Sequence, residues 1–186
     1  YVGELGYELY ISNKNAKEIY DLIVETGKGF NLTHCGAHTM DTMRMESGFL
    51  HWGHDISPEE NQYQAGLNFA ISYKKPFNFI GKEKLLKIKN KDLDKRFVML
   101  VLKNSKPGNP LLLHEEPIYL NNKIIGKTTS GNYSFNYNKN LSFGYIKSNL
   151  TNEDLNNLEI FIEIEKKKYQ VEILIKPLKQ SNFKKI

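Results

Sequence analysis

Cysteine and arginine are both scarce in this chain of 186 residues. Cys35 is the only cysteine, so an internal disulfide is excluded and no thiolate cluster is available for zinc or an iron–sulfur centre. Arg44 and Arg96 are the only arginines, and the net charge of +5 therefore comes from lysine. Because nucleic-acid-binding proteins use arginine for bidentate contacts with bases and phosphates, this composition argues against a nucleic-acid partner.

Long apolar runs and nucleotide-binding motifs are also missing. The apolar runs fall far short of the roughly 18 residues that a membrane-spanning helix needs, and no signal peptide is recognisable. There is no P-loop and no GxGxxG motif. We therefore expect no membrane partner. The chain begins at Tyr1 instead of methionine, in a glycine turn before an apparent strand, and we expect it to be the C-terminal fragment of a longer protein.

The first half of the chain mixes helical and strand patterns. With 40% hydrophobic and 12% aromatic residues, the composition is that of a folded protein. Residues 14–26 carry apolar side chains at helical spacing, with Asn13 or Asn15 able to cap the start and Gly27 at the end. This half is predicted to be α+β. Its other predicted elements are helices at 37–46 (stopped by Gly48) and 82–89, and strands at 7–12 and 67–73.

The second half, after about residue 90, consists of short β-rich runs. They are separated by turn signals such as Asn121-Asn122 and Lys166-Lys167-Lys168. Several short strands at such spacing predict a small antiparallel barrel or sandwich. The predicted strands are 97–103, 117–120, 123–129, 141–146, 159–165 and 169–175.

The opening stretch YVGELGYELY places a carboxylate among tyrosines. In the strand predicted from Tyr7, the side chains of Glu8 and Tyr10 share one face. A charge beside aromatic rings is costly unless hydrogen-bond donors satisfy it. Glu8 is therefore either a solvated strand residue or the acceptor for a ligand with adjacent N–H groups, and the residues alone leave both interpretations open.

The segment HWGHD is the other group of potential ligands, with His51, His54 and Asp55. Its spacing matches no standard metal motif, so packing of a loop or lining of a cavity is favoured over a metal site. Cys35 lies near two histidines in sequence, but sequence neighbours alone do not indicate thiol catalysis. We predict no metal site.

Four segments, in order, carry a resemblance to a known family: YVGELGYELY, MDTMRMESGFLHWGHDI, AGLNFAISYKKPFNFIGKEKL and KIIGKTTSGNYSFNYNKNLSFGYI. They resemble the C-terminal half of dimethylglycine dehydrogenase and sarcosine dehydrogenase. That half is the tetrahydrofolate-binding module related to the aminomethyltransferase (T-protein) of the glycine cleavage system. The resemblance covers essentially the whole chain. It implies an α+β fold, with residues 1–90 as the C-terminal part of the aminomethyltransferase folate-binding domain and residues 91–186 as a small antiparallel β-barrel.

The resemblance also implies a folate site in the opening stretch. Tyr1 and the run Glu8-Leu9-Tyr10 match positions that contact folate in the dehydrogenases, and the glutamate of this strand binds the pterin ring. The chemistry suits the residue, because one carboxylate can accept both the ring N–H and the neighbouring exocyclic amine of a pterin.

Two further positions complete the predicted site. Phe69 matches a folate-contacting tyrosine, so the ring is kept and the hydroxyl is lost. Arg44 matches an arginine of the family pattern, for which an ion pair with a nearby carboxylate is an equal alternative. Met40 stands where T-protein has a folate-contacting arginine. The dehydrogenases resemble this chain in having methionine at that position. The predicted folate-binding residues are thus Tyr1, Glu8, Leu9, Tyr10, Phe69 and Arg44.

The function implied is one-carbon transfer to tetrahydrofolate within a flavin-dependent dimethylglycine or sarcosine dehydrogenase. The family's catalytic aspartate would lie upstream of Tyr1 and the FAD in an upstream domain, so we predict no catalytic residue here and an inactive isolated fragment. The implied partners are folate and an N-methyl amine. The implied location is the bacterial cytoplasm, or the mitochondrial matrix in a eukaryote.

Three alternatives stay open. The chain could belong to a free-standing T-protein, to a flavin-free folate-dependent demethylase, or to a non-catalytic relative such as a regulatory subunit of pyruvate dehydrogenase phosphatase or an iron–sulfur assembly factor. Trp52, where T-protein typically has tyrosine, and Met40 favour the dehydrogenase branch. Glu8 argues mildly against a non-catalytic relative.

Overall fold

Six antiparallel strands of the second half close into a barrel in the order β1-β4-β3-β2-β5-β6. The computed structural model describes residues 1–89, 91–147, 150, 153, 155, 158–174 and 176–179. The barrel closes where β6 pairs with β1, with Leu102 opposite Val171. The strands are β1 (Lys95–Leu102), β2 (Pro117–Leu120), β3 (Lys123–Ser134), β4 (Lys139–Lys147), β5 (Ile160–Ile164) and β6 (Lys167–Leu174).

The strands alternate between the barrel interior and an outer layer. Val98, Leu100 and Leu102 of β1 belong to the interior core, together with side chains such as Ile118 and Ile162 from strands on the far side. The residues between them point outward, as expected for a side-chain period of two. The outer face of β1 and β4 is therefore a second apolar surface that must be covered.

The helix α2 (Ala37–Glu46) covers part of this outer surface. Met45 of α2 is 1% exposed and packs with Val101, Leu141 and Phe143 in a second core cluster. The helix ends where Gly48 adopts a φ of +72°, a conformation that glycine adopts without the steric penalty of a side chain. A Cβ atom at position 48 would also lie 2.6 Å from a carbon of Pro177. Because glycine has no Cβ, the turn can pack closely against Pro177.

The predicted fold class, an α+β segment followed by a small antiparallel barrel, is confirmed. Each predicted barrel strand has an observed counterpart. The strand predicted at 123–129 continues to Ser134, and of the strand predicted at 169–175, residue 175 lies outside the described residues. The helices predicted at 14–26 and 82–89 are observed as α1 (Ala16–Gly27) and α3 (Lys82–Ile88).

The strands predicted at 7–12 and 67–73 are wrong. Residues 7–12 have an irregular backbone, because no neighbouring strand among the described residues supplies the ladder of hydrogen bonds that a strand needs. In the second segment the backbone instead bonds to itself over a single turn, a 3-10 helix at Asn68–Ala70. The amide of Ala70 donates to the carbonyl of Leu67 at 3.0 Å.

Much of the first half is apolar and exposed. The helix α1 has no buried residue. Tyr7 and Tyr10 are 88% and 92% exposed, and Ile80 is fully exposed. Among the described residues no helix combines the length and apolar character needed to cross a membrane. An apolar surface of this extent commonly marks a place where another protein surface packs.

Candidate functional site

A buried arginine at the end of α2 organises the surroundings of the predicted site. The Arg44 side chain is only 3% exposed. Its Nε donates to Asp41 at 2.7 Å, and its two terminal nitrogens donate to the Asp55 carboxylate at 2.5 Å and to the Ser130 hydroxyl at 2.8 Å. A buried guanidinium needs such hydrogen-bond and ion-pair partners, because an unpaired charge that is removed from water is very costly in free energy.

Asp55, in the HWGHD segment, is the centre of this network. Its side chain is fully buried. Besides the ion pair with Arg44, one carboxylate oxygen accepts the backbone N–H of His51 at 2.8 Å. The other accepts the hydroxyls of Thr129 and Ser130, at 2.6 and 2.8 Å. Both oxygens are therefore bonded twice, and Asp55 ties its loop and α2 to strand β3 of the barrel.

The HWGHD segment is a loop in which Asp55 is buried and His51, Trp52 and His54 are exposed. His51 and His54 stack on each other, with ring centroids 4.6 Å apart. In the part of the chain that the structure describes, no three histidine, cysteine or carboxylate side chains are grouped so that they could hold a metal ion.

Two cavities lie on either side of Tyr1. The first, of about 600 Å³, lies against the outer face of β1 and is lined by Tyr1, Phe49, Phe69, Arg96 and Phe97, among others. The second, of about 610 Å³, lies between α2, the HWGHD loop and the rim of the barrel. Both have the size typical of small-molecule sites. Residues lining the second cavity include Tyr1, Met40, Arg44, His51, His54, His114 and Tyr133.

Tyr1 is held in place by the loop after α2. Its hydroxyl donates to the carbonyl of Leu50, and its ring lies 5.5 Å from that of Phe49. The turn at Gly3, with a φ of +66°, brings the chain so close to Ser47 that a Cβ atom at position 3 would displace the serine side chain. Burial raises the pKa of the Tyr1 hydroxyl; the Arg44 charge opposes this increase, and the Asp55 and Asp41 carboxylates add to it.

Glu8 and Tyr10 contact each other on the surface. The Tyr10 hydroxyl donates to one carboxylate oxygen of Glu8 at 2.8 Å. Glu8 has no other hydrogen-bond or ion-pair partner among the described residues. Leu9 between them is 62% exposed. The three side chains line neither cavity.

The structure thus brings only some of the predicted site residues together. Tyr1 and Phe69 share the first cavity, and Tyr1 and Arg44 share the second. Phe69 is 81% exposed at its cavity. For Arg44, the structure shows the ion pairs that the alternative interpretation required, with Asp41 and Asp55.

Sequence reasoning did not identify Asp55, Thr129 and Ser130 as parts of one network. Thr129 and Ser130 lie 74 and 75 residues from Asp55 in the chain. Both hydroxyls lie within the TTSGNYS stretch that carries the family resemblance, which was the one available signal.

Two domain families match the chain. The GCVT N-terminal domain matches residues 1–75, and the glycine cleavage T-protein C-terminal barrel domain matches residues 95–179. The matches follow each other in order and together span most of the chain. The chain belongs to the glycine cleavage T-protein family.

Curated relatives of this T-protein family member include both oxidases and transferases. It is 43% identical over 133 residues to the 4-methylaminobutanoate oxidase (formaldehyde-forming) of Paenarthrobacter nicotinovorans, covering 72% of this chain and 16% of the relative. It is 34% identical to human mitochondrial dimethylglycine dehydrogenase, covering 96% of this chain and 20% of that protein. It is also 34% identical to an aminomethyltransferase of Thermoanaerobacter, covering 100% of this chain and 48% of that protein. The chain therefore spans less than half the length of these relatives.

A solved structure shows the same fold. The aminomethyltransferase T of the glycine cleavage system from Bartonella henselae superposes with a TM-score of 0.75 at 20% identity, covering 89% of this chain and 45% of that structure.

Proposed function

We propose that this chain is the tetrahydrofolate-binding part of a one-carbon transfer module within a flavin-dependent N-methyl amine dehydrogenase. The substrate would be dimethylglycine or sarcosine, and the product 5,10-methylenetetrahydrofolate. In this proposal residues 1–90 belong to the folate-binding domain and residues 91–186 to the barrel domain; Asn90 and the last residues, 180–186, lie outside the described part. The chain would act only as part of the longer enzyme.

The proposal rests on the hydrogen bonding of the Glu8 carboxylate. Its carboxylate receives one hydrogen bond, from Tyr10, which orients the group and leaves the remaining lone pairs free among the described residues. A pterin edge presents two adjacent N–H donors, and a carboxylate can accept both. Charge-assisted bonds of this kind contribute roughly 1.5 to 3 kcal/mol each.

The two cavities beside Tyr1, neither of which Glu8 lines, offer further surface for folate rings. The first has mostly apolar and aromatic walls, which suit flat rings, and Phe69 contributes an exposed aromatic face. The chain's own residues would bind and orient folate and would exclude water from it. A flavin, when bound, would supply the oxidation of the N-methyl amine. This chain lacks a glycine-rich dinucleotide motif, so other residues of the enzyme would have to hold the flavin.

The relatives favour an N-methyl amine as the source of the one-carbon unit. The name of the Paenarthrobacter relative describes the oxidation of a methylamino compound with release of formaldehyde. Dimethylglycine dehydrogenases match almost the whole of this chain. Mitochondrial and bacterial proteins occur among the relatives, so we keep a bacterial cytoplasmic or a mitochondrial location as the proposal.

A glycine cleavage aminomethyltransferase is the second candidate. The Thermoanaerobacter enzyme matches every part of this chain at an identity equal to that of the human dehydrogenase. In that case no amine oxidation would occur, and the one-carbon unit would arrive as an aminomethyl group.

Oxidation of the amine separates the two candidates. We expect the intact protein to reduce an electron acceptor with dimethylglycine or sarcosine, to release formaldehyde without tetrahydrofolate, and to form 5,10-methylenetetrahydrofolate with it. The measurement is acceptor reduction together with both products, and glycine betaine, which has no free amine lone pair, is the control substrate. An intact protein that binds tetrahydrofolate but oxidises neither amine would contradict the dehydrogenase proposal and favour an aminomethyltransferase.

The exposed apolar side chains of the first half lead to a stability prediction. If the longer enzyme covers them, the isolated chain lacks that burial, which is worth roughly 1.5 to 3 kcal/mol for each large side chain. We expect residues 1–186 alone to unfold at least about 10 °C below the same region in the intact enzyme. The measurement is calorimetry of both proteins. Equal unfolding temperatures for the two proteins would show that residues 1–90 do not depend on the rest of the enzyme for their stability.

A further inference from the structure

Four of the five histidines of the chain line the second cavity. All four side chains are exposed, and their rings form no hydrogen bond with another described residue. The fifth, His34, lines neither cavity and bonds to the Tyr20 hydroxyl at 2.8 Å. Among the described residues the histidines are not grouped to hold a metal ion, so their ring nitrogens are open to an organic ligand. The four are His38 in α2, His51 and His54 in the HWGHD loop, and His114 before β2.

His51 and His54 form a defined pair within this group. Their stacked rings have planes 21° apart. The loop is fixed on both sides of His51, because its backbone N–H donates to the Asp55 carboxylate and its carbonyl accepts the backbone N–H of Asp55, both at 2.8 Å. Two stacked imidazoles bring N–H donors side by side. This arrangement fits the two oxygens of a carboxylate.

The same cavity also presents a negative charge. Asp41 lines it and is partly exposed. One of its carboxylate oxygens accepts the Arg44 Nε at 2.7 Å, and the other accepts no hydrogen bond from a described residue. Arg44 is shared with the buried carboxylate of Asp55, so it leaves no excess positive charge here. Asp41 is therefore a place where a cationic group of a ligand can pair.

Aromatic side chains add a second attraction for a cation. Tyr1, Tyr133 and Phe135 line the cavity. The rings of Tyr133 and Phe135 meet edge to face, with centroids 5.0 Å apart. Ring faces attract a methylated ammonium group, which has few or no N–H donors of its own. The cavity thus offers hydrogen-bond donors to an anion and both a carboxylate and ring faces to a methylated cation.

We propose that the second cavity binds an N-methyl amino acid as its zwitterion. The carboxylate lies on the His51–His54 pair, and the positively charged, methylated nitrogen lies against Asp41 and the aromatic walls. A ligand with the carboxylate alone would face Asp41 without a counter-charge, and a methylamine alone would leave the histidines unused. At about 610 Å³ the cavity also admits amino acids whose two charges are separated by several methylene groups.

The role of this site rests on the proposed function, which it deepens. Tyr1 lines both cavities. Folate in the first cavity and the methylated amino acid in the second would therefore lie on either side of one ring. The histidine pair and Asp41 would then select one-carbon donors that carry a carboxylate.

The test measures the reactivity of individual histidines in the intact protein. Diethyl pyrocarbonate modifies exposed imidazoles, and peptide mass spectrometry gives a separate rate for each histidine. The probes are glycine betaine and its longer homologue γ-butyrobetaine, which carry both charges and have no amine lone pair to be oxidised. Tetramethylammonium and acetate, at the same ionic strength, each supply one of the two charges. His34 is the internal reference.

We expect one of the betaines, at about ten times its dissociation constant, to slow the modification of His51 and His54 about tenfold, because only the unoccupied protein reacts. His34 should react at an unchanged rate, and tetramethylammonium and acetate should protect much less. Asp41→Asn should raise the betaine concentration needed for half-protection by up to about fivefold, as for a partly exposed ion pair. Asp21→Asn, which removes an exposed carboxylate paired with Lys17 on α1, should leave it unchanged.

Three results would overturn the inference. These are no protection by either betaine, equal protection by acetate or tetramethylammonium, and no reaction of His51 and His54 in the free protein, which would show that other residues of the enzyme fill the cavity. Tetrahydrofolate binding to the same protein tests the proposed function separately. Protection by a betaine in a protein that binds no tetrahydrofolate would support the amino-acid site and refute the folate proposal.

Discussion

Replacing Glu8 with glutamine is expected to weaken the binding of tetrahydrofolate to the intact protein by about 30- to 800-fold. Glutamine keeps the size and one acceptor oxygen, but its NH2 group would face one of the pterin donors. The loss of one charge-assisted bond and the new donor–donor contact together cost about 2 to 4 kcal/mol. Amine oxidation, at a separate flavin site, should continue, so that formaldehyde is released instead of the one-carbon unit reaching folate.

The measurement is folate affinity by calorimetry together with formaldehyde release. Glu18→Gln, which removes an exposed carboxylate from α1, is the matched control and should change neither quantity. Tyr10→Phe removes the hydroxyl that orients Glu8 and should weaken binding less than Glu8→Gln does, because the carboxylate itself is kept. If Glu8→Gln binds folate within about twofold of wild type, Glu8 is a solvated surface residue.

The barrel could be predicted from sequence because its signals are local. The strand β1 alternates between the two core layers, and the predicted turn Asn121-Asn122 has positive φ at both residues, as a two-residue hairpin turn of type I′ requires. The end of β3 was missed because residues 130–134 combine glycine, serine and asparagine, which have low strand propensity. Pairing with β4 overrides that propensity, for example where Gly131 lies opposite Ser142.

The first half was less predictable because its sequence pattern indicates strand contacts that the described residues do not supply. The alternation from Tyr7 to Ser12 indicates a strand, but a strand forms only beside a partner. The described residues offer none, and the tyrosines remain exposed. The Arg44–Asp55 network was hidden for a different reason, because it joins residues far apart in the chain, and no sequence spacing indicates which buried groups will meet.

This network should also be the point at which the chain is most sensitive to a single polar substitution. Asp55→Asn keeps the shape of the side chain but leaves the Arg44 guanidinium buried without its main counter-charge. We expect a loss of about 3 to 5 kcal/mol in the free energy of unfolding. Asp41→Asn, which removes the other carboxylate partner of Arg44, should cost less than about 1 kcal/mol, because the Asp41 side chain is 38% exposed.

A double substitution separates the cost of the unpaired charge from the cost of lost packing. Arg44 lies 5.3 Å from the ring of Phe143, so a methionine at position 44 could pack there instead. In Arg44→Met/Asp55→Asn no buried charge is left unpaired, and this variant should be more stable than the sum of the two single losses predicts. Urea unfolding can be followed at Trp52, the only tryptophan of the chain and a member of the same loop as Asp55, and by circular dichroism for the barrel. If Asp55→Asn is no more destabilising than Asp41→Asn, the buried ion pair does not hold this loop to the barrel.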